Sequence, residues 1–140
     1  MQINIVYWSG TGNTEAMAGL IKEGAEGAGA AVTMTDVSSA DQNAALSADV
    51  LALGCPSMGA EVLEESEFEP FIASIEGSVS GKKLALFGSY GWGDGEWMRD
   101  WTDRMEKAGA TLVVESLIVN ETPEGDAIDQ CKEFGAAIAQ

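Results

Sequence analysis

The sequence predicts a doubly wound α/β fold, five parallel strands with helices on both faces, on three observations. Short apolar runs alternate with amphipathic stretches from one end to the other. The runs Val50–Gly54 and Lys83–Gly88 are nearly all apolar, as strands covered on both faces must be. The amphipathic stretches carry apolar residues at the helical period. No Pro- or Ser-rich linker, low-complexity tract or internal repeat divides the chain, so residues 1–140 read as a single domain.

Taken in order, the strand candidates are Ile3–Trp8, Ala31–Asp36, Val50–Gly54, Lys83–Gly88 and Thr111–Val119. Met17, Leu20, Ile21 and Gly24 form the stripe of the first helix, and the segment from Asp41 to Ser47 supports only a short one. Phe68, Phe71, Ile72 and Ile75 give the next stripe, Met98, Trp101, Met105 and Ala108 a further one, and Ile128, Cys131, Gly135 and Ile138 the last. Gly29, Gly77 and Gly109 follow these stripes where left-handed caps would end helices. In a doubly wound sheet the ligand lies at the carboxyl ends of the strands, so the loops that follow the strands carry the functional reading.

Composition narrows the function classes. The formal net charge is −16, from 23 acids against 7 bases, and such a chain repels a phosphate backbone or an anionic membrane. A partner with a basic face would be steered toward it. Without a single histidine the chain lacks the usual general base and the commonest metal ligand, so conventional acid–base hydrolysis loses most of its candidates. Cys55 and Cys131 form no CxxC pair and read as two reduced structural thiols. With no long apolar stretch and no secretion-type amino terminus, the expected location is cytoplasmic.

Three loops stand out. After the first strand comes "SGTGNT", Ser9 to Thr14, opening a helix whose free N–H groups and dipole favour an anion. A dinucleotide fingerprint would need glycine where Glu15 stands, and a Walker loop would need a Gly-Lys pair that never occurs. Ser9, Thr11, Asn13 and Thr14 offer side-chain donors beside the loop amides, a set able to hold a phosphate monoester without a cation. After the third strand comes "GCPSMGAEVLEE" and after the fourth "GSYGWGDGEW", which bring Met58 and Trp92 to the same edge. Trp92, held between Gly91 and Gly93, is suited to lie on a planar ligand, with Met58 on the ring's other face.

A TGNT loop after the first strand, a Met-Gly-x-Glu turn after the third and a Gly-Trp-Gly turn after the fourth resemble the short-chain flavodoxins over the whole chain. The segment that longer members insert in the fifth strand is absent, since Thr111 to Asn120 reads as one uninterrupted run. The resemblance implies a flavodoxin-like domain that binds flavin mononucleotide (FMN) non-covalently. It implies a low-potential one-electron carrier passing between quinone, semiquinone and hydroquinone states, and no enzyme.

Carried onto this sequence, Ser9, Gly10, Thr11, Gly12, Asn13 and Thr14 resemble the phosphate site, Trp92 the outer stacking residue and Met58 the inner one. Glu61 resembles the acceptor of the flavin N3–H. Gly59, with Ala60 beside it, resembles the glycine whose carbonyl turns toward N5. Ser89 and Gly91 match positions touching the ring and ribityl chain. The acids of "EVLEESEFE" read as a solvated helix face and also as a docking rim for reductases and acceptors with basic faces. Asp94 and Glu96 read either as helix-start acids or as part of that rim. The expected protein is a monomer without nucleic-acid or membrane partners. The competing reading is an FMN-dependent NAD(P)H or quinone reductase, for which no inserted loop supplies a nicotinamide pocket.

Overall fold

The computed structural model describes residues 1–140. The strands are β1 (Gln2–Tyr7), β2 (Ala31–Asp36), β3 (Val50–Gly54), β4 (Lys83–Tyr90), β5 (Thr111–Leu112) and β6 (Leu117–Asn120). The helices are α1 (Asn13–Gly27), α2 (Gln42–Leu46), α3 (Phe68–Ile75), α4 (Glu96–Lys107) and α5 (Asp126–Ile138). All strand pairs are parallel, in the order β2-β1-β3-β4-β5, with β6 pairing β4 beyond β5. β3 is buried along its whole length and β4 from Leu84 to Ser89, as their unbroken apolar runs require.

Each face of the sheet carries its own core. On one face Met17 and Ile21 of α1 meet Cys131, Phe134 and Ile138 of α5 over β1, β3 and β4. These two helices approach backbone to backbone, because a side chain at Gly24 would collide with the Lys132 carbonyl and one at Gly135 with that of Ile21. On the other face Phe68, Phe71, Ile72 and Ile75 of α3 pack with Trp97, Met98, Trp101 and Met105 of α4. Phe68 meets Trp101 edge-on at 5.4 Å between ring centroids. The four helical stripes read from the sequence are therefore the four buried faces.

The fifth strand departs from expectation. The run Thr111–Val119 is interrupted, because β4 advances from Leu84 to Phe87 while its partner advances from Leu112 to Leu117. The bulge of extra residues preserves the pleat: Leu112 and Ile118 face the α3/α4 core, and Leu117 and Val119 the opposite one. Within the bulge Val113 and Val114 both turn to the α1/α5 side, which breaks the alternation. Ser116 is held to α4 by a hydroxyl pair with Thr102 at 2.8 Å. Gly77 also differs: it lies in a short 3-10 turn, Glu76–Ser78, and Gly81 (φ 78°) takes the left-handed position before β4. Gly29 and Gly109 are left-handed as expected, at φ 97° and 95°.

The order reverses between β1 and β3, whose following helices lie on opposite faces of the sheet. Their two exit loops diverge there and leave a crevice at the carboxyl ends, where sheets of this topology bind ligands.

Candidate functional site

The crevice has a volume of about 280 Å³. Its floor is the β1–α1 loop. Ser9 Oγ accepts the amide N–H groups of Gly12 (3.1 Å) and Glu15 (3.3 Å), folding the loop into the helix start. Gly12 is left-handed at φ 96° and its carbonyl accepts the amide of Ala16. The Trp8 ring lies against Gly10, 2.9 Å from where a side chain would begin, so only glycine fits beneath it. The amides of Gly10, Thr11, Asn13 and Thr14 have no acceptor within the chain. Those of Asn13 and Thr14 are free donors of the α1 amino terminus and those of Gly10 and Thr11 belong to the loop before it, an arrangement that takes an anion.

The side chains of this loop are used differently from the expectation of four parallel donors. Thr14 is buried, and its hydroxyl pairs with that of Ser89 at 3.1 Å, tying the loop to the end of β4. Asn13 Oδ1 accepts the Thr122 hydroxyl at 2.7 Å, which brings the segment after β6 against the loop. Ser9 accepts two amides and keeps its own proton for an outward bond, and Thr11 is exposed. Much of the hydroxyl content therefore braces the loop, and the backbone supplies most of the donors.

The opposite wall is the loop after β3. Met58 and Val62 exchange both backbone hydrogen bonds, 2.9 and 3.0 Å, closing a three-residue hairpin over Gly59, Ala60 and Glu61. Gly59 and Glu61 are both left-handed, at φ 50° and 57°. For glutamate that conformation is strained by about 1 kcal/mol, and it is held by the carboxylate, whose Oε1 accepts the Glu96 amide at 3.0 Å. Glu61 was expected to accept from a ring N–H. In the structure one oxygen caps α4, and Oε2 has no partner in the chain.

The structure brings Ser9, Gly10, Thr11, Asn13, Thr14, Met58, Ser89 and Gly91 into one crevice. Gly12, Gly59, Ala60, Glu61 and Trp92 do not line it, and Glu61 borders a separate hollow with Val62, Trp97 and Arg104. Trp92 is 65% exposed, against 1% for Trp97 five residues on. Sequence reasoning missed Trp8, Pro56, Ser57, Tyr90 and Glu121 on the walls. Trp8 and Tyr90 sit at strand carboxyl ends, the signal that marked the loops themselves. Glu121, left-handed at φ 57°, is placed by its amide bond to the Tyr90 carbonyl at 2.8 Å. That contact arises only once β6 is in register.

The acids behind the rim are not one solvated face. Glu64 is buried and its carboxylate accepts the amides of Ser66 (2.9 Å), Glu67 (2.8 Å) and Phe68 (2.9 Å) as well as the Ser66 hydroxyl. Burial pushes its pKa up, but these bonds outweigh burial and hold it at about 2. Glu69 and Glu76 both grip Arg104, at 2.7 and 2.9 Å, joining α3 and the following turn to α4. Cys55 and Cys131 are unpaired and buried, and burial raises their thiols to about 12 and about 11. Both are protonated and inert at neutral pH.

A family model described as flavodoxin matches residues 5–135. The chain is 55% identical over 137 residues to the flavodoxin of Clostridium beijerinckii, covering 98% of this chain and 99% of that one. It is 50% identical over 138 residues to the flavodoxin of Megasphaera elsdenii, covering 99% and 98%. The solution structure of the two-electron reduced Megasphaera elsdenii protein superposes with a TM-score of 0.90 at 48% identity, over 98% of each chain.

Proposed function

We infer, since the chain belongs to the flavodoxin family, that the crevice at the β1/β3 reversal is its FMN site and that the protein is an electron carrier rather than an enzyme. The observation that carries the site is the set of acceptorless amides at Gly10, Thr11, Asn13 and Thr14 on the helix start. That donor set fits the FMN phosphate, and an apolar wall at Trp8 and Met58 fits a flat ring beside it. The bound flavin supplies the redox chemistry, and the chain sets its surroundings.

The loop amides and the Ser9 hydroxyl hold the phosphate. Each charge-assisted bond is worth about 2 kcal/mol, which lets a locally positive pocket operate in a chain of net charge −16. Thr14 and Ser89 keep the floor rigid by their buried hydroxyl pair. Met58, and Trp92 from the neighbouring exposed turn, would flank the ring and limit water at its faces. Glu61 Oε2 would accept a ring N–H while Oε1 keeps the hairpin fixed to α4. Gly59 has the backbone freedom for its peptide to rotate, which would let its carbonyl accept from a ring N–H. The surrounding carboxylates disfavour added negative charge and keep the potential low.

The rim offers a surface for transient redox partners. Val62 and Trp92 are two of the few large exposed apolar side chains, and acids surround them. A partner with a basic face docks there in a small, quickly separating contact. No helix is long and apolar enough to cross a membrane. We take residues 1–140 as a single monomeric domain working in the cytoplasm, a reading supported by the two unpaired thiols.

An anaerobic reductive titration of FMN-reconstituted protein, followed by visible absorbance and potential, tests this reading. Retained flavin and two resolved one-electron steps are expected. A single two-electron step would return weight to a reductase, and failure to retain FMN would overturn the site.

A further inference from the structure

A groove of about 650 Å³ runs along α4 and the interrupted fifth strand, and shares no lining residue with the crevice. Its apolar side chains are Met98, Leu112 and Ile118, and Val114, whose side chain packs on the α1/α5 side, borders it. It lies at an open sheet edge, since β5 and β6 pair only with β4. In the bulge the amides of Val114, Glu115 and Ser116 find no acceptor within the chain. These free amides lie in the bend between β5 and β6, beside an apolar strip, and offer donors to the carbonyls of an added extended segment.

The charge of the groove selects the segment. Asp94 is paired with Arg99 at 3.0 Å and Asp103 with Lys107 at 2.8 Å, so these four largely cancel. Glu106 and Glu115 also line the groove and have no cation within ion-pair distance. The groove opens at Asp94 and Gly95, directly after the exposed Trp92 turn, so it continues the surface where an electron-transfer partner arrives.

We propose that this groove seats a short extended segment of a redox partner, pairing with the edge at residues 114–116 and carrying Lys or Arg around an aliphatic side chain. The aliphatic group enters between Met98 and Ile118, and the flanking cations meet Glu106 and Glu115. The segment lengthens the residence of a partner docked at the Trp92 rim and fixes its orientation. This inference rests on the carrier reading for the identity of the partner, while the groove itself can be tested separately.

The test is an NMR titration of isotope-labelled, FMN-loaded full chain with a short capped peptide alternating Lys and Val. Progressive shifts at Val114, Glu115 and Ser116 are expected. The Glu106→Gln/Glu115→Gln double variant should bind about fivefold more weakly at low ionic strength. Glu23→Gln/Glu26→Gln, the same charge loss on the exposed face of α1, should bind as the parent does. Equal weakening in both variants, or shifts confined to the Trp92 turn, would reduce the effect to general attraction and overturn the groove. Flavin absorbance recorded in the same samples reports on the carrier reading independently: loss of flavin with the groove shifts intact would refute the carrier and keep the peptide site.

Discussion

Glu61 Oε1 lies 3.0 Å from the Glu96 amide nitrogen, so the hairpin after β3 supplies the cap for the helix after β4. Gly95 precedes that helix and has no side chain to cap it, and Glu61 acts from 35 residues away. The negative carboxylate also faces the positive end of the α4 dipole. Removing it frees the hairpin after β3 and the start of α4 at once. Glu61→Ala should destabilise the flavin-free protein by about 1 kcal/mol and weaken FMN binding roughly tenfold. Glu61→Gln keeps an oxygen acceptor and should lose less of both. Urea unfolding and fluorescence titration with FMN check the two effects, and unchanged affinity in Glu61→Ala would remove the residue from the site.

Trp92 and Trp97 separate binding from stability. Trp92 is 65% exposed and contributes little to the core, so Trp92→Ala should leave urea unfolding of the flavin-free protein nearly unchanged. Its FMN affinity should fall roughly tenfold from lost stacking. Trp97 is 1% exposed and its indole N–H donates to the Cys55 carbonyl at 3.2 Å. Trp97→Ala opens a cavity and strands that carbonyl, at a cost of roughly 4 kcal/mol. A large stability loss in Trp92→Ala would refute its assignment to the ligand.

Glu64 makes stability depend on acid. Its folded pKa of about 2 lies below the ordinary 4.5 because the bonds from Ser66, Glu67 and Phe68 favour the charged form. The unfolded chain therefore takes up a proton first as pH falls. Its contribution is fully present above pH 4.5 and is lost progressively between about 4.5 and about 2. Glu64→Gln should be less stable at neutral pH and show a shallower decline toward pH about 3. Unfolding curves at the two pH values measure the difference. Parallel declines in parent and variant would assign the acid sensitivity elsewhere.

The stripes Phe68–Ile75 and Met98–Ala108 were legible because a helix that buries one face writes its period into the chain. The Ser9–Thr14 loop was legible as a helix start with free amides because small polar residues behind an apolar strand serve few other purposes. The interruption at Val113–Ser116 was hidden, since Thr111 to Asn120 carries β-favouring residues throughout and the break depends on a tertiary hydroxyl pair with Thr102. The double duty of Glu61 and the bracing of Thr14 by Ser89 were hidden for the same reason: both join residues far apart in sequence. Periodicity reports which face is buried, and only the folded chain reports which polar atoms meet.

Gly59 tests the electronic role of the hairpin without disturbing its packing. Its φ is 50°, and a side chain there would meet nothing within 4 Å. Gly59→Ala therefore adds no collision, and its effect is confined to backbone freedom. Alanine has less backbone freedom than glycine, so rotation of the peptide between two orientations becomes harder by on the order of 1 kcal/mol. On the proposed reading the carbonyl meets the flavin in only one redox state, so that cost falls on one couple, where it amounts to roughly 40 mV. Oxidised FMN should bind Gly59→Ala within about threefold of the parent, since none of the phosphate-loop donors is touched. The first one-electron potential should become more negative by roughly 40 mV, with the second changed less, in a potentiometric titration. An unchanged first potential would show that this peptide does not respond to the electron, and the tuning would then rest on the surrounding carboxylates alone.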